Sequence, residues 1–214
     1  MNIIFEGING SGKTTVIKEF LKFLDLSNID YTYISDLTYE TPLKSVLMSM
    51  FEDSVFLETT ALFKTSLYES LVLAANHHYI QEQLRDSKKF NVYDRDFISV
   101  LAYQKDIIKK DYSDWEKFYK PFRDIMLYQL KDVDYLIYVS IDIEENIRRT
   151  ELRDGRMFSR EEINLLYKLK ENMEIEIKEI YEEKNIKVIY IDGAKDPKEN
   201  EIEISEKVLK LRRN

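Results

Sequence analysis

The chain has no cysteine among its 214 residues. That absence excludes disulfide bonds, thiolate metal sites and cysteine nucleophiles, and it is typical of a reducing compartment. No apolar run approaches the ~20 residues that cross a bilayer, and the chain does not open with the basic segment of a secretory signal. We therefore expect a soluble cytoplasmic protein without a membrane partner.

Positive charge is also scarce, because 32 Lys and Arg residues stand against 40 Asp and Glu residues, a formal net charge of −8. This balance disfavours nucleic acid as a partner and requires any bound phosphate to be held locally. The hydrophobic fraction of 44% is enough to enclose one compact core. We expect a single domain over residues 1–214.

Short β-branched or aromatic runs alternate with longer segments that carry apolar residues at helical spacing. This alternation predicts an α/β fold with an open, mostly parallel five-stranded sheet, helices on both faces and ligands at the carboxyl ends of the strands. The predicted strands are 2–6, 30–35, 90–93, 135–141 and 186–191. The predicted helices are 14–24, 62–84, 97–109, 115–130 and 161–183.

Glycine is rare, yet Gly7, Gly10 and Gly12 stand together in a chain that has 5 glycines. Residues 7–14 read GINGSGKT and fit the phosphate-binding pattern G-x-x-x-x-G-K-[ST] between a predicted strand and a predicted helix. Glycines allow backbone N–H groups to surround phosphate oxygens at a helix N-terminus. The sequence therefore predicts a P-loop NTPase fold that uses ATP.

The motif assigns roles to individual side chains. Lys13 is expected to bridge the β- and γ-phosphates of ATP, and the Thr14 hydroxyl is expected to ligate Mg²⁺. Asp94 closes the third predicted strand, where its carboxylate either reaches the metal shell or caps the next helix. The other predicted phosphate-binding residues are Gly7, Asn9, Gly10, Ser11, Gly12 and Thr15.

Several motifs resemble the thymidylate kinase family. FEG precedes the P-loop, TPL stands at 41–43, and DR at 94–95 is followed by SVLAYQ at 99–104. The resemblance implies transfer of the ATP γ-phosphoryl group to a nucleoside monophosphate, dTMP above all, by a homodimer that binds only small-molecule nucleotides.

The same resemblance assigns residues to the acceptor. Arg95 would hold the acceptor phosphate, while Tyr103 and Gln104 would line the sugar and base pocket. The remaining acceptor-side residues would be Glu6, Leu73, His77 and Ser99.

A charged segment at 148–160, RRTELRDGRMFSR, resembles the lid of the same family. The family supplies a catalytic arginine either from the P-loop, where this chain has Gly10, or from a lid. We therefore expect a short lid that closes over ATP and excludes water, with Arg153 and Arg156 as its catalytic arginines. The alternative is a solvated helix end.

Several acceptor-side positions depart from the family. Asp36 stands where a phosphate-binding arginine is usual, and a carboxylate ~4 Å from an acceptor phosphate costs about 4 kcal/mol per charge pair. Leu73 replaces an aromatic ring, and His77 replaces an arginine that contacts the base. Two further departures are Asn9 in place of an acid and Asp96 in place of a tyrosine, while His78 is expected at the surface.

These departures leave two alternatives open. A deoxynucleoside kinase would use Glu6 or Asp94 to take the proton from a 5′-hydroxyl, a step that an anionic monophosphate does not need. A regulator that binds nucleotide without catalysis is the other alternative, and the intact Lys13, Thr14 and Arg95 argue against it.

Overall fold

Five parallel strands form the sheet in the computed structural model, which describes residues 1–35, 40–50, 67–84, 87–111, 113–128, 133–184 and 186–210. The strand order is β2-β3-β1-β4-β5, and each neighbouring pair is parallel. The predicted α/β sheet is thus confirmed. The strands are β1 (Asn2–Glu6), β2 (Tyr31–Ser35), β3 (Phe90–Asp94), β4 (Tyr135–Ser140) and β5 (Lys187–Asp192).

Helices connect the strands and cover both faces of the sheet. They are α1 (Lys13–Leu26), α2 (Lys44–Met50), α3 (Leu67–Leu84), α4 (Phe97–Asp111), α5 (Trp115–Tyr128), α6 (Ile143–Asp154), α7 (Arg160–Lys184) and α8 (Pro197–Leu209). Among the helices that the structure describes, none is long and apolar enough to cross a membrane.

Helices α2, α6 and α8 were not predicted from the apolar period. Their start signals are polar: Asp142 accepts hydrogen bonds from the backbone N–H groups of Glu144 and Glu145, and Asp196 accepts one from that of Lys198. Such caps satisfy backbone donors that a helix leaves without partners in its first turn. Capping residues therefore mark α6 and α8 better than their hydrophobic spacing does.

The core lies in two layers, one on each face of the sheet. Ile3 and Phe5 of β1 pack with α1 and α8, whereas Ile4 packs with α4 and α7. This alternation follows from the two-residue period of a strand. Strand β1 is central and buried on both faces, and the chain order reverses beside it. Ligands bind at such a switch point of an open α/β sheet.

Candidate active site

The glycine-rich segment adopts the predicted strand–loop–helix context at the carboxyl end of β1. Helix α1 begins at Lys13, and the Gly12 carbonyl accepts hydrogen bonds from the N–H groups of Thr15 and Val16 at 3.0 and 3.1 Å. The side chains of Thr14 and Thr15 are exposed at the start of this helix. The loop thus presents a helix N-terminus to the cleft, which is the geometry that favours phosphate.

Gly10 packs the loop tightly against helix α6. Its φ is 83°, and a Cβ placed there would collide with the Thr150 hydroxyl and lie 3.0 Å from the Asn146 carbonyl oxygen. No side chain fits this position, so an arginine cannot stand here. Positive charge for the transferred phosphoryl group has to come from another element.

Lys13 and Asp94 form an ion pair at the mouth of the loop, with 7% and 12% of their side chains exposed. The other Asp94 oxygen accepts a hydrogen bond from the Tyr33 hydroxyl at 2.9 Å. The pairing of Phe5 with Asp94 in the β1–β3 register explains why residues 81 positions apart meet. Sequence reasoning missed Tyr33, whose only signal is its place near the end of a neighbouring strand.

The residues near this pair fit a magnesium ion bound together with a nucleotide. Within the described residues, no group of three His, Cys, Asp or Glu side chains could hold a metal alone. Mg²⁺ in phosphoryl-transfer enzymes takes most of its ligands from phosphates and water and needs few from the protein. The Thr14 hydroxyl and the Asp94 carboxylate are oxygen donors of this kind.

Arg95 lies between the P-loop and helix α4. Its backbone is left-handed, with φ of 73°, and its N–H donates to the Phe5 carbonyl at 2.9 Å. One guanidinium nitrogen, Nη1, donates to Ser99 Oγ at 3.1 Å, and Nη2 donates to Asn9 Oδ1. The guanidinium carbon is 5.6 Å from the centre of the Tyr103 ring. The structure therefore brings four of the predicted site residues into contact.

Glu6 is fully buried directly behind Arg95. Its Oε1 accepts from the N–H groups of Asp96 and Ser99 at 3.0 and 3.2 Å, and its Oε2 accepts from the Ser99 hydroxyl at 2.6 Å. Burial raises the pKa of Glu6 to about 7, against the lowering effects of the Ser99 hydrogen bond and the Arg95 charge. The carboxyl group thus caps α4 and joins it to β1.

His77 does not stand alone at the acceptor side. Its Nδ1 lies 2.6 Å from Asp96 Oδ1, and Gln81 donates to Asp96 Oδ2 at 2.7 Å. All three come from helix α3 or the start of α4, and the His77 and Asp96 side chains are buried. His78 is exposed, as predicted. Sequence reasoning missed Gln81, although it follows His77 by one helical turn.

The other predicted acceptor residues lie where α3 meets α4. Leu73 is buried in the hydrophobic core, and Gln104 Oε1 accepts a hydrogen bond from the buried Ser70 hydroxyl at 2.8 Å. Thr41 of the TPL motif donates to Asn76 Oδ1 of α3 at 2.6 Å. Asp36 lies outside the described residues.

Comparison with known proteins agrees with this arrangement. A family model described as "Thymidylate kinase" matches residues 5–204. The chain belongs to the thymidylate kinase family. The "Probable thymidylate kinase" of Methanobrevibacter smithii (strain ATCC 35061 / DSM 861 / OCM 144 / PS) is 29% identical over 172 residues, which span 80% of this chain and 78% of that protein. The match supports a P-loop phosphotransferase that acts on nucleotides.

Solved structures share the fold. Deoxyadenosine kinase from M. mycoides with bound dATP matches with a TM-score of 0.69 and 18% identity over 98% of this chain and 100% of that chain. Thymidylate kinase from Candida albicans matches with a TM-score of 0.64 and 20% identity over 98% and 91%, respectively. Likeness at such identities shows the fold and leaves the acceptor open.

The lid predicted for this thymidylate kinase family member is only partly a loop. Residues 148–154 are the end of helix α6, which stops where Gly155 adopts a left-handed φ of 67°. Helix α7 begins at Arg160, so the connection between the two helices is short. Residues 148–154 therefore form a largely exposed helix end, which was the alternative expected from the sequence, and the closing of a lid over ATP stays a prediction.

The two predicted lid arginines are exposed and paired with acids of their own segment. Arg153 donates to Asp154 at 2.7 Å, and Arg156 donates to Glu162 at 2.6 Å. The Arg156 guanidinium also lies over the Phe158 ring, 5.0 Å from its centre. The arginine side chain of each pair is exposed, and such pairs are weak. Little free energy is therefore needed to move these arginines to new partners.

Arg149, which sequence reasoning missed, lies against the P-loop. Its Nη1 donates to the Gly193 carbonyl at 3.0 Å and would be 3.7 Å from a Cβ at Gly12. Helical spacing puts Arg149 beside Asn146 and Thr150, which also contact the loop. A correct prediction of helix α6 would have shown that Arg149, unlike the arginine that precedes it, lies on the face that packs against the P-loop.

Proposed function

We propose that this chain transfers the γ-phosphoryl group of ATP to a nucleoside monophosphate, dTMP in the first place, giving the diphosphate and ADP. The observation that carries the proposal is that both candidate bases, Glu6 and Asp94, are already engaged in hydrogen bonds. Both Glu6 oxygens accept hydrogen bonds inside the protein, and both Asp94 oxygens are bonded, by Lys13 and Tyr33. A nucleoside acceptor needs such a base, whereas a monophosphate is already an anion.

Catalysis then rests on positioning and electrostatics rather than on a covalent intermediate. Lys13 leaves Asp94 to bind the phosphates of ATP, and the Asp94 carboxylate, which also accepts from Tyr33, then engages the cation that accompanies the nucleotide, so it does not become available as a base. When bound, Mg²⁺ would be held by the Thr14 hydroxyl and the Asp94 carboxylate and would supply charge neutralisation for the transferred phosphoryl group. Arg95 binds the acceptor phosphate, and its contacts with Asn9 and Ser99 hold it at the boundary between the two substrates.

The remaining positive charge comes from the region of α6 and the turn that follows it. Gly10 excludes an arginine from the P-loop, so we assign this role to Arg153 or Arg156. Both arginine side chains are 51% exposed, so water can solvate them when they leave Asp154 and Glu162 and the segment moves toward ATP. Arg149 contributes from its place beside Gly12.

A deoxynucleoside kinase is the second candidate function. A specific observation favours it: a pKa of about 7 for Glu6 suits a general base near neutral pH. The deoxyadenosine kinase of M. mycoides also has this fold. This function requires Glu6 to abandon its bonds with Ser99 and Asp96 and to turn toward the acceptor, which makes it the weaker candidate.

A homodimer is part of the proposal. Helices α3 and α5 present an apolar groove of about 340 Å³, in which Ile125 and Tyr128 expose 57% and 65% of their surface. Leu71 and Ala75 line its other wall. An Ile125→Glu variant should shift the mass measured by light scattering from dimer to monomer. A wild-type monomer would contradict the dimer alone.

The activity is tested by ADP release with ATP and Mg²⁺ against a panel of nucleosides and their monophosphates. A Lys13→Ala protein, prepared identically, controls for a contaminating kinase. Turnover of dTMP without turnover of thymidine supports the proposal. Turnover of nucleosides alone supports the second candidate, and tight ATP binding without any turnover indicates a regulator.

A further inference from the structure

A polar chain connects helix α6 with the guanidinium of Arg95 through one P-loop residue. Asn146 Nδ2 donates to the backbone carbonyl of Asn9 at 2.7 Å. The side chain of the same residue, Asn9, accepts a hydrogen bond from Arg95 Nη2. Asn9 therefore carries one contact to α6 on its backbone and one to Arg95 on its side chain.

At the α6 end of these hydrogen bonds, Asn146 is held by close packing and by hydrogen bonds of its own. Asn146 is fully buried, and its N–H donates to the Asp142 carbonyl at 2.9 Å. The Asn146 carbonyl accepts a hydrogen bond from the Thr150 hydroxyl at 2.8 Å. Asn146 and Thr150 both pack so closely against Gly10 that a Cβ at position 10 would not fit. The loop at Asn9 thus cannot shift relative to α6 without breaking a buried hydrogen bond, which costs about 1–3 kcal/mol.

The Arg95 end is also constrained. Ser99 holds Nη1, Asn9 holds Nη2, and the Tyr103 ring lies beside the guanidinium plane. An arginine side chain has large rotamer freedom and loses conformational entropy when it is fixed. If the side chain is already fixed before the substrate arrives, this entropy cost no longer weakens substrate binding. Asn9 supplies one of the contacts that achieve this.

The neutral amide at position 9 matters as much as the contact. An aspartate there would also accept from Arg95, but as a charge pair that offsets the attraction of the guanidinium for an anion. An asparagine orients the cation and leaves its charge intact.

We propose that Asn9 is a positioning residue for Arg95, itself held in place by Asn146, and that its neutral side chain preserves the charge of Arg95 for an anionic acceptor. The proposal rests on the proposed function in one respect, the assignment of Arg95 to the acceptor phosphate. The link between Asn9 and the placement of Arg95 does not depend on it.

The first measurement needs no acceptor. Phenylglyoxal labelling of arginines, followed by peptide mass spectrometry, reports how tightly Arg95 is held, with the exposed Arg148 as internal reference. Asn9→Ala should label Arg95 about tenfold faster, the usual effect of losing one hydrogen bond to a charged group. Asn9→Asp should not label faster, because the carboxylate retains the contact. Asn164→Ala, on the exposed face of helix α7, serves as the control.

The second measurement separates the two substrates kinetically. With dTMP as acceptor, Asn9→Ala and Asn9→Asp should each raise the acceptor KM about tenfold, while the equilibrium affinity for ATP stays within about twofold. Asn146→Leu should act on the same step, so combining it with Asn9→Ala should add little to either change alone. If Asn146→Leu does not fold, Asn146→Gln tests the same contact. Asn164→Asp should leave both constants unchanged.

Two results would overturn the inference. One is an Arg95 labelling rate in Asn9→Ala equal to that of the wild type at matched thermal stability. The other is a fall in ATP affinity as large as the fall in acceptor affinity, which would make Asn9 an ordinary structural part of the P-loop. Absence of monophosphate turnover in the wild type would instead refute the proposed function, and the labelling result would still decide the role of Asn9.

Discussion

The proposed nucleotide side and the proposed acceptor side of the site are built in different ways. The nucleotide side is a continuous segment, 7–14, in which backbone N–H groups and glycines with left-handed φ values form the surface. The acceptor side is assembled from side chains of β1, α3 and α4 that are far apart in sequence. A backbone surface depends on residues that cannot be exchanged, whereas a side-chain surface can be rebuilt with new partners.

The rebuilt partners are visible on the acceptor side. Asp96 brings a buried carboxyl group, which contacts His77 and Gln81. Glu6, also buried, is satisfied by backbone and hydroxyl donors at the start of α4. Departures from the family pattern are therefore accommodated as a connected network. The predictions below test whether the two sides behave as independently as this suggests.

Removal of Lys13 should have the largest effect, because the cation serves the nucleotide whichever acceptor is used. We expect Lys13→Ala to lower kcat about 10³-fold, the upper range for one stabilising donor in a transition state. Steady-state ADP release measures it, with the exposed Lys22→Ala on the same helix as control. If kcat fell with only one class of acceptor, the result would contradict the idea that Lys13 serves the nucleotide with every acceptor.

Removal of Asp96 should have the largest effect on the acceptor side. The Asp96 carboxyl group accepts from Gln81 and lies 2.6 Å from His77 Nδ1, and each buried donor that loses its acceptor costs about 1–3 kcal/mol. Asp96→Ala should lower the free energy of unfolding in urea by this amount, and Asp96→Asn, which keeps the Gln81 contact, by less. A change below about 1 kcal/mol would mean that the pair is not formed.

The pKa of Glu6 predicts a pH dependence of stability that arises behind Arg95. Its folded-state pKa of about 7 lies above the ordinary 4.5, so the folded protein binds the proton more tightly. The stabilisation is complete below pH 4.5 and is lost as the pH rises through about 7, a change of about 3 kcal/mol. Unfolding free energies at pH 5 and pH 7.5 should differ less in Glu6→Gln than in the wild type. Identical slopes would refute the shift.

Crowding at Gly10 predicts a smaller effect with a defined partner. Gly10→Ala places a methyl group against the Thr150 hydroxyl at a left-handed φ, so we expect a loss of about 2 kcal/mol of stability together with weaker ATP binding. Adding Thr150→Ala should recover part of both. Gly155→Ala is the matched control, since it has the same backbone conformation and no atom within 4 Å of a Cβ. Equal losses in both variants would indicate backbone strain alone.

The lid arginines should give the smallest effect on stability. Arg153→Gln and Arg156→Gln break pairs in which the arginine side chain is 51% exposed, and pairs near the surface contribute about 1 kcal/mol or less to folding. If either arginine reaches the transferred phosphoryl group, its variant should lose at least about tenfold in kcat with little change in ATP affinity. Arg149→Gln should instead weaken ATP binding. Unchanged kcat in both lid variants would assign the catalytic charge to another residue.

The sequence predicted the parts of this molecule that depend on local pattern. The β-branched runs predicted the five strands, and the glycine spacing predicted the strand–loop–helix context of the P-loop. The roles of Lys13 and Asp94 stay predictions, although the structure brings the two side chains together. Helix α6 was missed because its start depends on the Asp142 cap rather than on an apolar face. The Asp96–His77 pair was missed because it depends on how α3 packs against α4, which one sequence does not reveal.

The most direct test of the account is the ratio of kcat/KM for dTMP to kcat/KM for thymidine, measured with ATP and Mg²⁺ in the wild type and in Arg95→Ala. We predict a wild-type ratio of at least about 10³, because both candidate bases among the described residues, Glu6 and Asp94, are engaged in hydrogen bonds, and a collapse of that ratio when the acceptor cation is removed. A wild-type ratio below one, or a ratio that Arg95→Ala leaves unchanged, would contradict it.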